Sequence, residues 1–246
     1  MTREALLDFF STHDKVMLQF SAGKDSAACL WLLEEFWGQM DVVWVNPGNP
    51  YPETLRYMER ISKLVPRFKV VLSKQPQDIA QHGWPVDVVP MEATQIGQQM
   101  TGGTGPRLRP FWECCWNNMW QPMLEEVTRG GYDGIIRGQK LADSLKGPLR
   151  TGSQVDGVEY FHPLEDWTDE QVKKFLGDRL PDSYKRGLPS SLDCMDCTAY
   201  AKENAGRIAD LEAIDETSWV KVTVIHKHLL DSLDAHLTAI RNCHGR

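Results

Sequence analysis

No apolar run in the chain approaches the ~18 residues that a membrane-spanning helix needs, so no membrane span is expected. The N-terminus, MTREALLDFFSTHDK, lacks both a continuous apolar stretch and a small-residue cleavage site. The expectation is therefore a cytoplasmic protein without a secretory signal. There is no excess of positive charge either. The formal net charge of −7 disfavours non-specific adhesion to nucleic acid or anionic membrane, so any anion site must be local. Internal repeats and low-complexity blocks are absent. What is present, 246 residues with 41% hydrophobic and 25% charged side chains, can bury a substantial core in one large domain with an appendage or in two small domains. Six cysteines in a reducing compartment point to metal or redox chemistry rather than disulfides.

The apolar runs alternate with helical patterns. Residues 3 to 12 form an amphipathic pattern, KVMLQF (15 to 20) reads as a buried strand, and DSAACLWLLEEFW follows at helical period. DVVWVNPG (41 to 48) is a second strand, YPETLRYMERISKLV a helix opened by Pro52, and FKVVLSK (68 to 74) a third strand. Further on come a helix near 117 to 129, the strand DGIIRGQ (133 to 139) and a helix at WTDEQVKKFL, where Thr168 and Gln171 form a capping box. MTGGTGPRLRP is expected to be a glycine-rich loop, and from 201 onward the composition is helical. The alternation implies βαβ units and a parallel sheet.

SAGKDS, Ser21 to Ser26, joins the first strand to its helix. Small residues there let the backbone approach a ligand closely, and the exposed N–H groups of a helix start favour phosphate. The loop is not a Walker A loop, because Leu18 stands where that motif needs glycine, and it is not G-x-G-x-x-G. The cysteines fall into an adjacent pair, Cys114 and Cys115, and a C-x-x-C pair, Cys194 and Cys197. Four thiolates can surround one metal centre. An adjacent pair is awkward on one tetrahedral zinc ion and easier on different irons of a cluster, which favours iron and sulfide over zinc. Cys29, inside the first βα helix, reads as a small core residue.

Both motifs carry a family resemblance. SAGKDS resembles the S-G-G-x-D-S pyrophosphate loop of the N-type ATP pyrophosphatase and sulfonucleotide reductase superfamily, with Ala22 replacing a glycine, and alanine disfavours positive φ. The cysteine pattern resembles the one that holds a 4Fe-4S cluster in adenylyl sulfate reductases and their relatives. VNPGNPYPET resembles the family's strand and loop ending in Pro-Glu-Thr, IIRGQKLADS its Gly-x-Arg stretch, HPLEDWTDEQV its Pro-Leu-x-x-Trp-Thr, and LPSSLDCMDCT its Pro-Ser-x-x-Cys-x-x-Cys-Thr. Together these cover residues 15 to 198.

The resemblance implies an α/β fold, a Rossmann-like (HUP-type) parallel sheet with helices on both faces and a helical C-terminal extension. It places a nucleotide-binding domain with the cysteines at 1–200 and a helical segment at 201–246. Carried over, Ser21, Ala22, Gly23, Lys24, Asp25 and Ser26 line the phosphate site, with Glu53, Arg137 and Lys140 as further nucleotide contacts. Cys114, Cys115, Cys194 and Cys197 hold the 4Fe-4S cluster, and Mg2+ accompanies the nucleotide. Arg137 and Lys140 are chosen from a basic group (Arg107, Arg109, Arg137, Lys140, Lys146, Arg150, Lys185, Arg186) because they follow a buried strand, and open α/β sheets bind ligands beyond the strands' carboxyl ends. Trp112, Trp116 and Trp120 flank the cysteine pair, as shields for a cluster or as ordinary core and helix-face aromatics. His226 and His228, at i and i+2, point apart on a helix and read as surface residues.

Two chemistries compete. In a reductase, adenylyl sulfate or its 3′-phosphorylated form (PAPS) binds the loop, Cys243 attacks sulfur, and a thioredoxin-like donor releases sulfite. The tail RNCHGR holds a cysteine and a histidine (His244) but lacks the reductases' Glu-Cys-Gly-Leu-His. In the alternative, ATP binds the loop, a substrate oxygen is adenylated with loss of pyrophosphate, and sulfur or nitrogen displaces AMP. Lys24 supports this branch, because the Lys-Asp pair of the loop resembles the ATP-cleaving branch, where the resemblance implies a lysine that stabilises charge developing on the phosphates. The alternative admits a nucleic-acid acceptor, to which the acidic net charge lends no support. A third reading is a nucleotide sensor without turnover, stabilised by structural zinc or an iron–sulfur cluster. No sequence pattern indicates an oligomeric state.

Overall fold

The computed structural model describes residues 2–143, 147–203 and 206–243. Its strands are β1 (Val16–Gln19), β2 (Met40–Asn46), β3 (Phe68–Leu72), β4 (Trp84–Val86), β5 (Leu108–Pro110), β6 (Gly134–Ile136), β7 (Ser153–Val155) and β8 (Val158–Phe161). Six of them form one sheet in the order β3-β2-β1-β6-β8-β7, parallel throughout except for the antiparallel β7–β8 edge. The fold is the expected α/β, Rossmann-like sheet.

The chain gathers into two compact units. The first comprises Met1–Asn46, Pro50–Leu72 and Pro122–Asp193; the second comprises Pro47–Asn49, Ser73–Gln121 and Cys194–Arg246. Residues 201–246 thus group with a segment from the middle of the chain and with both members of the C-x-x-C pair.

In the first unit, alternate strand residues point to opposite faces, as a pleated strand requires. Leu18, Val42, Ile136 and Phe161 face one core, with Leu30 of the helix Lys24–Leu32, Ile61 of Pro52–Leu64 and Val172 of Asp169–Leu176. Met17, Val43, Ile135 and Tyr160 face the other, covered by Val127 of the helix Gln121–Gly130. Burying each such side chain is worth roughly 1.5–3 kcal/mol, so helices on both faces hold the sheet and fix where its loops emerge. The capping box forms as expected, with Thr168 N donating to Gln171 Oε1 (2.7 Å) and Gln171 N to Thr168 Oγ1 (3.3 Å).

The second unit contains β4 and β5, paired in parallel, and a core of Val86, Ala93, Leu108 and Ile225. Its longest helix is Glu216–Cys243. Here the sequence expectations need correction. The glycine-rich stretch is not all loop: it closes a helix, Gln95–Thr101, through Gly102 in a left-handed cap (φ 73°), and ends in β5. The helix expected near 117 to 129 is broken into Phe111–Cys115, a π-helical turn Trp116–Trp120, and Gln121–Gly130. The buried Asn118 side chain donates to the Cys114 carbonyl (3.0 Å), competing for an oxygen of the helical ladder. In the first unit the β7–β8 hairpin was also missed. Its turn, Asp156 and Gly157, has both φ values positive (51° and 82°), the Asp-Gly hairpin turn.

Candidate functional site

The loop Ser21–Ser26 leaves β1 beside β2, where Phe20 N donates to Val43 O (2.9 Å). Its shape is set by serine hydroxyls: Ser26 Oγ accepts from Ser21 N (3.2 Å) and donates to Gly23 O (3.0 Å). Ala22 takes the left-handed conformation at φ 61°, which a glycine would hold without strain. Gly23 opens the helix Lys24–Leu32, directing the positive end of its dipole at the loop. Gly138, beyond β6, packs against this turn so closely that a Cβ there would lie 2.7 Å from the backbone carbonyl carbon of Asp25. Only glycine fits.

Charged side chains converge on the same edge. Lys140, with no exposed side-chain surface, places Nζ 2.6 Å from Asp25 Oδ1, 2.7 Å from Asp143 Oδ1 and 3.2 Å from Asp169 Oδ1. Lys24 Nζ lies 2.9 Å from Asp25 Oδ2 and 3.0 Å from Asp169 Oδ1. Burial opposes the Lys140 charge, but the hydrogen bonds to Asp143 and Asp25 outweigh it and raise its pKa. Burial likewise opposes the Asp169 carboxylate, and Lys24 overcomes it, lowering the pKa. The three carboxylates have oxygens within 4.8 Å of one another, a separation that suits a hard cation. Two ammonium groups already engage them, so as arranged this donor set does not fit Mg2+.

Asp143 and Asp169 were not singled out from the sequence. Asp169 looks like an ordinary acidic residue in the first turn of a helix, and only the fold brings it to Lys24. His162 was also missed. It follows β8, is 3% exposed, and neither ring nitrogen has a hydrogen-bond partner. Burial, reinforced by Arg137 and Arg150, lowers its pKa to about 4, with Glu165 opposing. Arg137 follows β6, where its backbone N–H donates to Phe161 O (3.1 Å), and burial lowers the pKa of its guanidinium. Glu53, in the first turn of the helix Pro52–Leu64, is held by Arg186 at 2.8 Å. The basic residues read as one group divide, with Arg107 and Arg109 in the second unit and Arg137, Lys140, Arg150, Lys185 and Arg186 in the first. Lys146 lies outside the described residues, as does His244.

All four cysteines of the two pairs fall in the second unit. Cys114 is buried, and its thiol is pushed up to about 12 by burial, reinforced by its neighbours Cys115 and Cys197 and opposed by Arg109. Asn118 Nδ2 lies 3.7 Å from Cys114 Sγ, and Tyr200 Oη lies 3.5 Å from Cys115 Sγ. The C-x-x-C turn is closed by Cys197 N donating to Cys194 O (3.3 Å) and tied by Met195 N to Asn49 O (2.9 Å). Arg109, 5% exposed, donates to Gly83 O (3.0 Å) and pairs with Asp78, which also accepts from Asn117 (3.1 Å) and Asn118 (2.6 Å). The thiols come from two segments of the second unit, with a neutral N–H beside Cys114 and a neutral O–H beside Cys115, and thiolate is the ligand chemistry that an iron–sulfur cluster uses.

Trp112, Trp116 and Trp120 are about half exposed, as helix-face aromatics are, and form no closed shield. Cys29 is fully buried, and burial raises its pKa, as a core thiol requires. His226 is more than a surface residue, because its Nε2 lies 3.0 Å from Thr198 O, next to Cys197. Cys243 ends the same helix, exposed. At 1.5 Å per residue it stands ~25 Å farther along the axis than His226.

Among the described residues no helix is long and apolar enough to cross a membrane. Among curated proteins, no sequence matches this chain. The chain is similar to the NH3-dependent NAD synthetase from Campylobacter jejuni subsp. jejuni in complex with the nitrate ion, at 12% identity over 89% of this chain and 90% of that one, with a TM-score of 0.46. It is also similar to phosphoadenylyl-sulfate (PAPS) reductase from Candida auris in its phosphate complex, at 13% identity over 77% of this chain and 86% of that one, with a TM-score of 0.52, a likeness of fold. Within that fold, residues 15–97, which span β1 to β4 and include the loop Ser21–Ser26, match the phosphoadenosine phosphosulfate reductase domain.

Proposed function

We propose that this protein is an adenine-nucleotide-dependent enzyme of sulfur metabolism. Its loop Ser21–Ser26 takes the nucleotide phosphates, and Cys114, Cys115, Cys194 and Cys197 hold a 4Fe-4S cluster. The observation that carries this reading is the loop itself: a helix start pinned by the close approach of Gly138, with the ammonium groups of Lys24 and Lys140 beside it. Backbone N–H groups at such a turn favour phosphate oxygens, and lysine stabilises negative charge that develops on them. Glu53 and Arg137 complete the nucleotide contacts in this reading. A 4Fe-4S cluster, when bound, supplies electron-transfer capacity and a local field that depends on the hydrogen bonds to its sulfurs. Asn118 and Tyr200 are placed to donate those bonds, and the cysteines must first lose their protons.

The match to the phosphoadenosine phosphosulfate reductase domain supports the reductive chemistry. The Cys243 thiolate attacks the sulfur of adenylyl sulfate or PAPS, and the S–O bond breaks with its electron pair leaving on the nucleotide phosphate. A thioredoxin-like dithiol then reduces the S-sulfocysteine, releasing sulfite and becoming a disulfide. Two observations favour the second chemistry, in which ATP adenylates a substrate oxygen. Lys24 sits at the loop, and Cys243 sits at the exposed end of a long helix rather than beside the other cysteines. In that chemistry the α-phosphate is attacked, pyrophosphate leaves, and a sulfur or nitrogen nucleophile then displaces AMP.

The test is to incubate the anaerobic, iron-loaded protein with ATP, and separately with adenylyl sulfate or PAPS plus a thioredoxin system, and to resolve the nucleotide products. Sulfite and AMP (or its 3′-phosphate), abolished by Cys243→Ser, establish the reductase. AMP and pyrophosphate from ATP, retained in Cys243→Ser and lost in Lys24→Ala, establish the adenylating enzyme. Nucleotide binding with no turnover in either mixture supports a sensor.

A further inference from the structure

We propose that Asp87 is a positioning residue that clamps Tyr200 in a strained backbone conformation, so that the tyrosine hydroxyl donates a hydrogen bond to the Cys115 sulfur and raises the reduction potential of the cluster bound there. This rests on the reading that Cys114, Cys115, Cys194 and Cys197 hold a 4Fe-4S cluster. Asp87, Cys115 and Tyr200 all belong to the second unit.

The strain is specific to this place. Three non-glycine residues among the described ones have positive φ: Ala22, Asp156 and Tyr200. Ala22 lies in the small-residue loop after β1, and Asp156 in a hairpin turn that demands positive φ. Tyr200 is in neither setting. A bulky side chain at φ 57° costs free energy, and such a residue persists only where its surroundings over-determine it. Hydrogen bonds do so here. The Asp87 carboxylate accepts from the backbone N–H of Tyr200 through one oxygen (2.7 Å) and from that of Ala201 through the other (2.8 Å). Just before them, the Thr198 hydroxyl donates to Pro85 O (2.6 Å). The segment after the C-x-x-C turn is thus tied both to β4 and to the residue that follows it.

What the clamp achieves is the placement of a phenol. The Tyr200 ring packs on Phe111, with centres 4.5 Å apart, and its Oη reaches 3.5 Å from Cys115 Sγ. Phenylalanine would serve the ring contact, and glycine or asparagine would relieve the left-handed backbone. Tyrosine does neither better; what it adds is a hydroxyl at the sulfur. A phenol keeps its proton at neutral pH and a metal-bound thiolate can only accept, so the bond runs from Tyr200 to Cys115. A donor at sulfur stabilises the more negative, reduced cluster more than the oxidised one, and the potential rises. Asp87 acts on the cluster through Tyr200.

The test uses anaerobic, iron-loaded full-length protein, with Tyr200→Phe, Asp87→Asn and the double variant D87N/Y200F, after iron and sulfide have been counted. Phenylalanine keeps the ring and Asp87 is exposed, so neither change opens the core. The readouts are resonance Raman spectra in H2O and D2O, and a dithionite titration followed by electron paramagnetic resonance. Tyr200→Phe should shrink the deuterium shift of the Fe–S(Cys) stretching bands and lower the one-electron reduction constant by roughly threefold to tenfold, up to about 59 mV. Asp87→Asn should move both readouts in the same direction, and the double variant no further than Tyr200→Phe. Removing a negative charge would by itself raise the potential, so a fall in Asp87→Asn marks the clamp. A rise in Asp87→Asn, additive effects in the double variant, or unchanged readouts in Tyr200→Phe overturn the inference alone. So does loss of the cluster from Asp87→Asn when Tyr200→Phe retains it, which would assign Asp87 to holding the ligands. If dithionite does not reduce the cluster, the deuterium shifts decide. Wild-type protein without iron and sulfide overturns the cluster reading and this inference with it.

Discussion

The two units differ in the polar groups they bury. In the first, charge is met by charge: Lys140 is enclosed by Asp25, Asp143 and Asp169, and Asp41 is held by Arg67 at 2.6 Å and Lys69 at 2.6 Å. In the second, Arg109 and Asp78 are paired as well, but Cys114 and Cys115 have the neutral side chains of Asn118 and Tyr200 beside their sulfurs, and Cys114 is an uncharged thiol at neutral pH because burial pushes its pKa to about 12. A cluster of charged side chains can therefore be finished by folding alone, because its cations are covalently part of the chain. A sulfur site cannot, because thiols become strong ligands only when a metal displaces their protons.

The sharpest way to break this comparison is to remove the metal. Anaerobically purified protein should be brown, with about four irons and four sulfides per chain. Chelation should abolish hydrogen-exchange protection in β4 and β5 while leaving β1, β2 and β6 protected. Equal loss in both units would show that the first depends on the cluster as well, and stoichiometric zinc without sulfide would remove the cluster itself.

The next largest effect is expected in the first unit. Lys140→Met leaves Asp143 without its cation and Asp25 and Asp169 with Lys24 alone, and urea unfolding should show a loss of about 3 kcal/mol. A loss below about 1 kcal/mol would mean that the ammonium is replaced by solvent and that the pairing is not structural.

A comparable effect should follow pH. The folded pKa of His162, at about 4, lies below its ordinary 6.5, so the unfolded chain binds the proton more readily. Stability should be fully present above about pH 6.5 and decline by about 2–3 kcal/mol as pH falls toward 4. His162→Gln should flatten that window. Asp169 acts at lower pH. Its folded pKa is depressed, so its contribution is present above the ordinary carboxylate range and is lost only in stronger acid. If the His162→Gln profile still declines between pH 6.5 and 4 as steeply as that of the wild type, the assignment fails.

The smallest effect is expected at Ala22. Its φ of 61° is strained for alanine, and Ala22→Gly should stabilise by up to about 1 kcal/mol, partly offset by the greater freedom of the unfolded chain. A destabilised variant would mean that the Ala22 methyl packs usefully against its neighbours.

The legible parts of the fold were those with a local physical cause. The strands β1, β2 and β3 are apolar runs, the helix after β2 opens on Pro52, and the capping box of Thr168 and Gln171 is written in adjacent residues. Arg137 and Lys140 were picked out because they follow a buried strand, a rule about sheet edges rather than about arginine or lysine. The Asp156-Gly157 turn was equally local and was overlooked because the strands it joins are only three and four residues long. The π-helical turn was not legible, since it depends on which way the Asn118 side chain folds back.

By itself, the sequence determined the period of its apolar residues, and hence the parallel sheet, the small-residue turn after β1 and the pairing of cysteines by spacing. All of these depend on residues close together in the chain. Only the tertiary structure decided which charges meet. Lys140 reaches Asp25 across 115 positions, and Asp169 joins them from the start of another helix. Such encounters rest on how strands are ordered in a sheet, and strand order leaves no mark in a local stretch of residues because many orders bury the same apolar faces.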